Sequence, residues 1–388
     1  MSIPVPNVVG TVDAPLARGL MFTRGLWRIA GADASAGNAV ALLKDGPAAF
    51  DAMIAAIDEA TRSVSLESYL VRSDSVGERF AGALMRAAAR GLEVRFIADW
   101  VGSRGSSGAF WRRLRENTVA VRMFSPPGFR RWLGLVPRDH RKLLVVDDAI
   151  GFTGGFGLAE QWSGMMRRRR RAPWRDTAVR IAGPAAIDMQ RAFDTMWARA
   201  SGEERRTSRR HVRVSRGANI DPDTAQGAVV GIIEGEPWRL RISRALQMNA
   251  VAAERCIWMA SAYFYPSDAE IEALAGAALD GVDVRLLVPS RYDHPWVRRL
   301  TRSLYSRLLR NGVRIWEWNG AMMHAKTSVI DGRWVRVGST DYNPLGVAIN
   351  YELDAVIEDR ALGLEAEAMY LADLEHSTEI LPGSSLHT

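Results

Sequence analysis

The sequence predicts an α/β protein made of two tandem, similarly folded α/β/α halves that are related by a pseudo-twofold axis and share one active site. Three observations carry this prediction. The chain has 388 residues, two to three times the length of a usual domain. A motif of the form His-x-Lys-x4-Asp occurs twice, at residues 140–147 and 324–331. The segments upstream of both motifs repeat one pattern of short β-branched runs and helical stretches, which is typical of a sheet with helices on its faces.

The repeated pattern gives each half the same predicted elements in the same order. In the first half these are a strand at 64–70, a helix at 77–90, a strand at 91–97 and a strand at 142–146. In the second half they are a strand at 257–264, a helix at 268–280, a strand at 281–287 and a strand at 326–330. Tyr69 and Tyr263 stand at equivalent places in the two copies. Because strands alternate with helices, we expect a mainly parallel sheet.

A change in composition marks the boundary between the halves. Residues 201–215 are rich in Arg, Glu, Ser and Thr and lack apolar periodicity. We therefore predict an irregular lead-in over residues 1–35, a first domain over 36–215 and a second domain over 216–388, with 381–388 as a frayed tail.

Composition excludes several classes of protein. With 47% hydrophobic and 24% charged residues, the chain is neither disordered nor a small disulfide scaffold. The single cysteine, Cys256, excludes an internal disulfide and a multi-cysteine metal site, and its apolar surroundings predict burial. No run approaches the roughly 18 apolar residues of a membrane-spanning helix, and no signal-peptide layout is present, so we expect a cytosolic protein, free or resting on a membrane. The net charge of +7 leaves nucleic acid, an acidic membrane surface or a phosphorylated substrate open as partners.

The use of lysine points to the active site. Of the 51 basic residues only Lys44, Lys142 and Lys326 are lysine, and the last two follow His140 and His324 by two positions. Residues i and i+2 of a strand point to one side, so each His–Lys pair faces a common space. A pseudo-twofold arrangement of the halves would bring both pairs to one cleft.

Two imidazoles and two ammonium groups suit phosphoryl transfer without a metal. One imidazole attacks phosphorus and the other protonates the departing alcohol, while the lysines neutralise the non-bridging oxygens. The histidines could instead be satisfied core residues, but two copies with matched small-residue pairs at 154–155 and 338–339 argue against that. Zinc is disfavoured because a lysine stands beside each histidine and no Cys or second His lies at ligand spacing.

These motifs resemble the phospholipase D superfamily in its two-motif, single-chain form, and most of all bacterial cardiolipin synthases that lack transmembrane helices. The resemblance spans residues 42 to 358 and implies two phospholipase D-like α/β/α sandwich domains. It rests on Leu42-Leu43-Lys44-Asp45-Gly46, Leu66-Glu67-Ser68-Tyr69, Asp139-His140-Arg141-Lys142, Trp174-Arg175-Asp176, and Gly338-Ser339 followed by Asn350-Tyr351-Glu352.

The resemblance also implies an activity and a set of site residues. Such enzymes transfer a phosphatidyl group to the glycerol hydroxyl of phosphatidylglycerol through a phosphohistidine, with no cofactor and no metal. By resemblance His140 is the nucleophile, His324 is the general acid/base, and Asp176 and Glu352 match carboxylates that orient a histidine. The remaining expected site residues are Lys142, Asp147, Lys326 and Asp331 as catalytic groups and Gly155, Ser339 and Asn343 as supporting groups.

Two positions depart from the family pattern. Gly157 and Asp341 stand where the family usually has asparagine, and Asn343 is a candidate replacement for the second. A carboxylate facing a phosphate is unfavourable unless it is protonated or turned away. Reduced activity or a variant substrate therefore stays open.

Basic and apolar segments near the motifs suggest membrane contact. A run of five arginines is either a solvated loop or a patch for anionic headgroups; it comprises Arg167, Arg168, Arg169, Arg170 and Arg171. Trp132 lies in an apolar and basic segment just before His140, which fits a loop at the membrane interface or a partly buried loop. We expect peripheral binding to the inner membrane from the bacterial cytoplasm, with phosphatidylglycerol and cardiolipin as partners.

Three rival functions remain beside the transferase. They are a nuclease, for which the sequence shows no recognisable nucleic-acid-binding module, a phospholipase that uses water as acceptor, and a non-catalytic lipid-binding scaffold, which the intact His–Lys pairs disfavour. Motifs alone do not separate transfer from hydrolysis, because that depends on how the site excludes water and positions the second alcohol.

Overall fold

The computed structural model of the protein describes residues 20–126, 136–164, 172–202 and 226–383. Within these ranges fifteen strands form one continuous sheet. The first half contributes β1 (Asp33–Leu43), β2 (Ser63–Ser68), β3 (Glu93–Asp99), β4 (Ala120–Phe124), β5 (Lys142–Val146), β6 (Ile150–Gly154) and β7 (Ala178–Ala182). The second contributes β8 (Ala228–Gly235), β9 (Cys256–Ser261), β10 (Asp283–Pro289), β11 (Arg314–Trp318), β12 (Lys326–Ile330), β13 (Trp334–Gly338), β14 (Glu352–Glu358) and β15 (Ser377–Ile380).

Ten α-helices accompany the sheet in the described ranges. They are α1 (Leu20–Ala30), α2 (Gly46–Glu59), α3 (Ser75–Ala89), α4 (Gly108–Glu116), α5 (Ala185–Ser201), α6 (Arg241–Ala252), α7 (Asp268–Leu279), α8 (Pro295–Ser303), α9 (Tyr305–Arg310) and α10 (Arg360–Glu375). A short 3-10 helix at Glu160–Trp162 and a π-helical turn at Leu345–Ile349 complete the set.

The strand order confirms the duplicated α/β fold. From one edge the first half runs β4-β3-β2-β5-β6-β7-β1, and from the other edge, inside the added β15, the second half runs β11-β10-β9-β12-β13-β14-β8. Each strand of one half thus has a counterpart seven strands later in the chain. The halves join where β1 pairs antiparallel with β8, with Ser35 opposite Val230, so the pseudo-twofold axis passes between these strands.

The expectation of a mainly parallel sheet is wrong. The parallel pairs are β2–β3, β3–β4, β9–β10 and β10–β11, and the other strand pairs are antiparallel. Only the strand–helix–strand units produce parallel neighbours. The motif strand β5 instead runs antiparallel to β2 and forms a tight hairpin with β6. The connection between β5 and β6 has three residues, which is long enough only for antiparallel strands.

Helices cover both faces of the sheet, which gives the α/β/α layering. Successive residues of β5 alternate between the two cores: Leu143 and Val145 pack in the core beneath α5 and α10, while Leu144 and Val146 pack beneath α2, α3 and α4. The core beneath α5 and α10 contains residues of both halves, so the halves share one apolar layer. A third core joins α1, α6 and α7 to the second half.

The predicted irregular lead-in is also wrong for the part that is described. Residues 20–30 form α1, in which Leu26, Trp27 and Ala30 are buried, and β1 begins at Asp33. These three residues recur at helical spacing and pack against α6 and β8. The predicted domain boundary at 215/216 and the end of the predicted tail lie outside the described residues.

Candidate active site

Each motif histidine is held by a backbone bridge to the opposite half. The amide of His140 donates to the carbonyl of Tyr351 over 2.9 Å, and the amide of His324 donates to the carbonyl of Arg175 over 2.7 Å. Tyr351 immediately precedes Glu352, and Arg175 immediately precedes Asp176. The two bridges therefore carry each carboxylate to the histidine of the other half.

The side chains complete these reciprocal pairs. Nδ1 of His140 lies 2.9 Å from Oε1 of Glu352, and Nδ1 of His324 lies 2.7 Å from Oδ2 of Asp176. Each carboxylate also accepts a second bond, Glu352 from the Ser339 hydroxyl and Asp176 from Nε1 of Trp162. Because Nδ1 donates a hydrogen bond to a carboxylate, Nε2 is the ring nitrogen left for chemistry in each imidazole. In His324 that nitrogen lies 3.1 Å from Nζ of Lys326.

The motif lysines lie beside their histidines in a buried space. Nζ of Lys142 donates to the carbonyl of His140, and Nζ of Lys326 donates to the carbonyl of His324, both over 2.7 Å. Burial lowers the pKa of Lys142 to about 8, against the raising effect of Glu352 from the other half. Because each Nζ lies beside its motif histidine, Lys142 and Lys326 are both placed to contact an anionic phosphate.

Burial and the lysines disfavour the protonated form of both imidazoles. Burial lowers the pKa of His140 and of His324 well below the usual value, and in each the lysine of its own motif lowers it further. Lys326 also lowers the pKa of His140, and Lys142 that of His324. Charges of the two halves thus act on each other within one cleft.

Burial also acts on the two orienting carboxyls. It raises the pKa of Glu352 to about 8 and that of Asp176 to about 6, while lysines of the cleft oppose the shift. Burial therefore disfavours the charged form of every member of these pairs. The negative charge of an arriving substrate opposes this effect at the imidazoles and adds to it at the carboxyls.

A tyrosine packs against each histidine. The ring of Tyr69 contacts His140 edge to face at 4.9 Å, and that of Tyr263 contacts His324 at 6.0 Å. Nζ of Lys142 and of Lys326 lies 5.7 and 5.6 Å from the same two rings. Sequence reasoning used Tyr69 and Tyr263 only as markers of the repeat; their matched spacing was the signal that both face the site.

Two tryptophans make the surroundings of His324 different from those of His140. Trp162 and Trp174 lie 5.4 and 5.5 Å from the His324 ring, and the side chain of His324 is 7% exposed against 16% for His140. Sequence reasoning missed Trp162. The signal in the sequence was Gly157, which stands where the family usually has asparagine. A Cβ at 157 would lie 2.9 Å from the Trp162 ring, so an asparagine there would collide with that ring.

Asp341 lies in the cleft, but Asn343 does not replace the missing asparagine. Oδ1 of Asp341 accepts from the Tyr263 amide over 3.2 Å, and Oδ2 lies 3.5 Å from Nζ of Lys326. The side-chain Nδ2 of Asn343 donates to the Tyr263 carbonyl. The side-chain Oδ1 of Asn343 accepts from two backbone amides of the π-helical turn. Asn343 is therefore occupied by the backbone, and its expected role at the phosphate is wrong.

Gly155 and Ser339 support the orienting carboxylates. A Cβ on Gly155 would lie 2.1 Å from Oδ1 of Asp176, so a glycine is needed for the carboxylate to approach. The Ser339 hydroxyl donates to Glu352 and accepts from the Leu353 amide over 3.0 Å.

The motif aspartates lie away from the cleft, so a catalytic role for Asp147 and Asp331 is wrong. Both follow the far ends of β5 and β12, about 16 Å from the histidine ends at 3.3 Å per residue. Asp147 accepts from the amides of Thr61, Arg62 and Ser63, and Asp331 from those of 254–256. Each aspartate thus ties its hairpin to the start of the neighbouring strand.

Several expectations concern parts of the chain beyond this geometry. Trp132 and the five arginines at 167–171 lie outside the described residues. Among the residues that are described, no helix combines the length and apolarity needed to cross a membrane. Within the same residues, no group of three His, Cys, Asp or Glu side chains is arranged to hold a metal ion.

Comparison with known proteins places the chain in a family. The family model described as cardiolipin synthase, phospholipase D-like domain, matches residues 53–197 and 249–374, one match in each half. This protein belongs to that family. It is 33% identical to a cardiolipin synthase of Listeria innocua over 89% of this chain and 70% of the relative. It is 32% identical to cardiolipin synthase A of Pseudomonas aeruginosa over 97% of this chain and 75% of the relative.

A solved structure shares the fold. The phosphatidylserine synthase of Haemophilus influenzae superposes with a TM-score of 0.72, covering 92% of both chains at 13% identity. At that identity the likeness concerns the fold alone. Membership of the cardiolipin synthase family makes this chain a phosphatidyltransferase of the phospholipase D superfamily.

Proposed function

We propose that this protein transfers a phosphatidyl group to the glycerol hydroxyl of phosphatidylglycerol through a phosphohistidine on His140. The observation that carries the proposal is the reciprocal pairing of His140 with Glu352 and of His324 with Asp176, with Lys142 in the same cleft. Such a set supplies a nucleophile, a proton carrier and charge neutralisation together.

In the first step Nε2 of His140 attacks phosphorus and the ester bond to the departing alcohol breaks. His324 gives its Nε2 proton to the oxygen that leaves. An arriving phosphodiester carries a negative charge, which raises the pKa of the His324 imidazole and favours the protonated form that this step needs. The product is a phosphatidyl group bonded to His140 and a free alcohol.

In the second step the acceptor hydroxyl gives its proton to His324, and its oxygen attacks phosphorus. The phosphorus–nitrogen bond breaks and the electron pair returns to His140, so both histidines regain their starting forms. The greater exposure of His140 supports its role as nucleophile, and the indoles around His324 support its role as proton carrier, because they limit the entry of water.

We also propose the setting in which this chemistry occurs. A diacyl substrate resides in a bilayer, and the net charge of +7 suits the anionic cytoplasmic leaflet, which supports peripheral attachment there. The domain boundary that we propose is the one predicted from the sequence, between a first domain over residues 36–215 and a second over 216–388.

The test is to incubate the purified protein with labelled phosphatidylglycerol, with plasmid DNA in a parallel reaction. Cardiolipin and free glycerol in equal amounts are the expected products, and His140→Ala and His324→Ala should each abolish their formation. Phosphatidic acid in place of cardiolipin would make the enzyme a hydrolase. Nicked DNA without lipid turnover would make it a nuclease and overturn the proposal.

A further inference from the structure

We propose that the second half seats on an anionic phospholipid surface through a docking face formed by Trp238, Tyr265, Trp296, Leu300 and Leu345. The inference rests on the proposed function, since it names the surface that brings this cleft to its lipid. All five side chains are exposed in the structure.

Exposed tryptophan is the first observation. Among the tryptophans that the structure describes, only Trp238 and Trp296 are exposed, at 76% and 61%. Single exposed apolar residues are ordinary on a protein surface. Two exposed tryptophans in one half are less ordinary, and tryptophan prefers the headgroup level of a bilayer, where its ring is buried and its N–H stays hydrated.

Trp296 lies close to the catalytic centre. The Tyr263 ring, which packs on His324, donates its hydroxyl to Oδ1 of Asp293 over 2.8 Å and lies 6.5 Å from the ring of His294. Helix α8 begins at the next residue. A membrane that contacts α8 therefore lies at the mouth of the cleft beside His324.

Helix α8 has the pattern of an interfacial helix. Val297 and Thr301 are buried, whereas the exposed residues recur at i, i+3, i+4 and i+7 and form one face; they are Trp296, Arg299, Leu300 and Ser303. The equivalent connection of the first half, residues 100–107, is described throughout and contains no helix. Helix α8 is therefore an addition that extends an apolar and basic face into solvent.

Trp238 reaches the same end of the sheet from a second element. It follows β8, whose Gly235 pairs with Glu352, and its amide donates to the carbonyl of Ala348 over 2.7 Å. Trp238 has a φ of 66°, a left-handed conformation that is unfavourable for a large side chain. The turn accepts this conformation while leaving the indole in solvent. Leu345, in the π-helical turn that contains Ala348, is exposed as well.

The arginines around the docking face indicate which kind of surface it binds. Arg239, Arg291 and Arg299 are exposed next to the apolar residues of the docking face, while the nearby Asp293 accepts the Tyr263 hydroxyl. The apolar residues come from separate segments with arginines between them, rather than from one continuous groove. Anionic headgroups above an acyl layer satisfy both components, so the structure favours a lipid surface over a protein partner.

The experiment measures binding of the full chain to sedimenting vesicles of phosphatidylglycerol or of phosphatidylcholine. We expect tighter, salt-sensitive binding to phosphatidylglycerol, and at least a tenfold loss of affinity in the double variant Trp296→Ala/Leu300→Ala. The matched control is Leu279→Ala, because Leu279 is 70% exposed at the end of α7 that points away from the cleft. The control should bind like the parent protein, and circular dichroism and thermal unfolding should show that both variants are folded.

A second readout separates this inference from the proposed function. Turnover is compared on phosphatidylglycerol vesicles and on short-chain phosphatidylglycerol dispersed as monomers, and the vesicle-to-monomer ratio should fall at least fivefold in the double variant. Unchanged vesicle binding in that variant, an equal loss in the control, or a Trp296-dependent preference for single-stranded DNA over vesicles would overturn the docking face. Vesicle binding that depends on Trp296 in a protein with no lipid turnover would refute only the proposed function.

Discussion

Single carboxylates orient the two motif imidazoles. Glu352 and Asp176 each hydrogen-bond Nδ1 of a histidine from the other half, so Nε2 is the ring nitrogen left for chemistry. We predict that Asp176→Asn and Glu352→Gln each lower kcat by roughly 10²- to 10⁴-fold, as expected when an orienting carboxylate of a catalytic histidine is lost. Steady-state kinetics measures the effect, with unfolding midpoints as the control for folding. A loss below threefold in either variant would contradict the reciprocal arrangement.

Asp341 should make the enzyme lose efficiency as pH rises. Burial raises its pKa, while Lys326 and His140 lower it. The other titratable groups that face it are Lys142, Tyr263, Tyr292, Arg336 and Glu352. A protonated Asp341 tolerates an anionic phosphodiester, whereas the carboxylate formed above the folded-state pKa repels it, so kcat/KM should fall through that pKa.

Asp341→Asn should remove this decline. Lys142, with a pKa of about 8, loses its charge at higher pH and leaves a second decline in the variant. Profiles of kcat/KM against pH test the expectation, with Asp148→Asn as the matched control, because Asp148 is partly exposed and pairs with Arg62. Identical profiles for the parent and Asp341→Asn would show that Asp341 does not titrate in the substrate-binding step.

At the scale of elements, the motif aspartates hold the hairpins and take no part in catalysis. We predict that Asp331→Ala and Asp147→Ala each lower the free energy of unfolding by about 1–3 kcal/mol, because backbone amides lose a charged acceptor. In the folded protein kcat should stay within a few-fold. Asp58→Ala, which breaks an exposed ion pair with Arg86, should cost under about 1 kcal/mol. Loss of catalysis in a stably folded Asp331→Ala would contradict this assignment.

The stabilisation by Asp147 should depend on pH. Burial raises the pKa of Asp147, but bonds from the amides of Ser63, Thr61 and Arg62 lower it by more, so the net shift is downward. The stabilisation is therefore present above the pKa of the unfolded chain and is lost as pH falls through the folded-state value.

The elements also show what sequence patterns can and cannot predict. The sequence predicts a helix at 77–90, and α3 spans Ser75–Ala89, because its apolar spacing is regular and Asp74 caps its first turn. Strand direction was mispredicted, since alternation of side chains is the same in parallel and antiparallel strands. Helix α8 was missed because its apolar residues lie partly on the solvent face.

At the scale of the whole molecule, the duplication of the sequence predicts a shared cleft. It does not predict which carboxylate hydrogen-bonds which histidine. The repeated His-x-Lys spacing is visible in the sequence and requires only that the halves face each other. Which histidine each carboxylate reaches depends on the docking of β1 against β8 and on the bridges at Tyr351 and Arg175. No local pattern encodes those contacts, because they join residues about 150 to 210 positions apart.

The central claim is that both imidazoles address one phosphorus atom. A crystal structure with vanadate, which imitates the five-coordinate phosphorus of the transition state, tests it most directly. We predict vanadium bonded to Nε2 of His140, with Nε2 of His324 within hydrogen-bond distance, about 3 Å, of the opposite apical oxygen. Vanadate held by one histidine, with the other ring beyond reach in a separate cavity, would contradict the account.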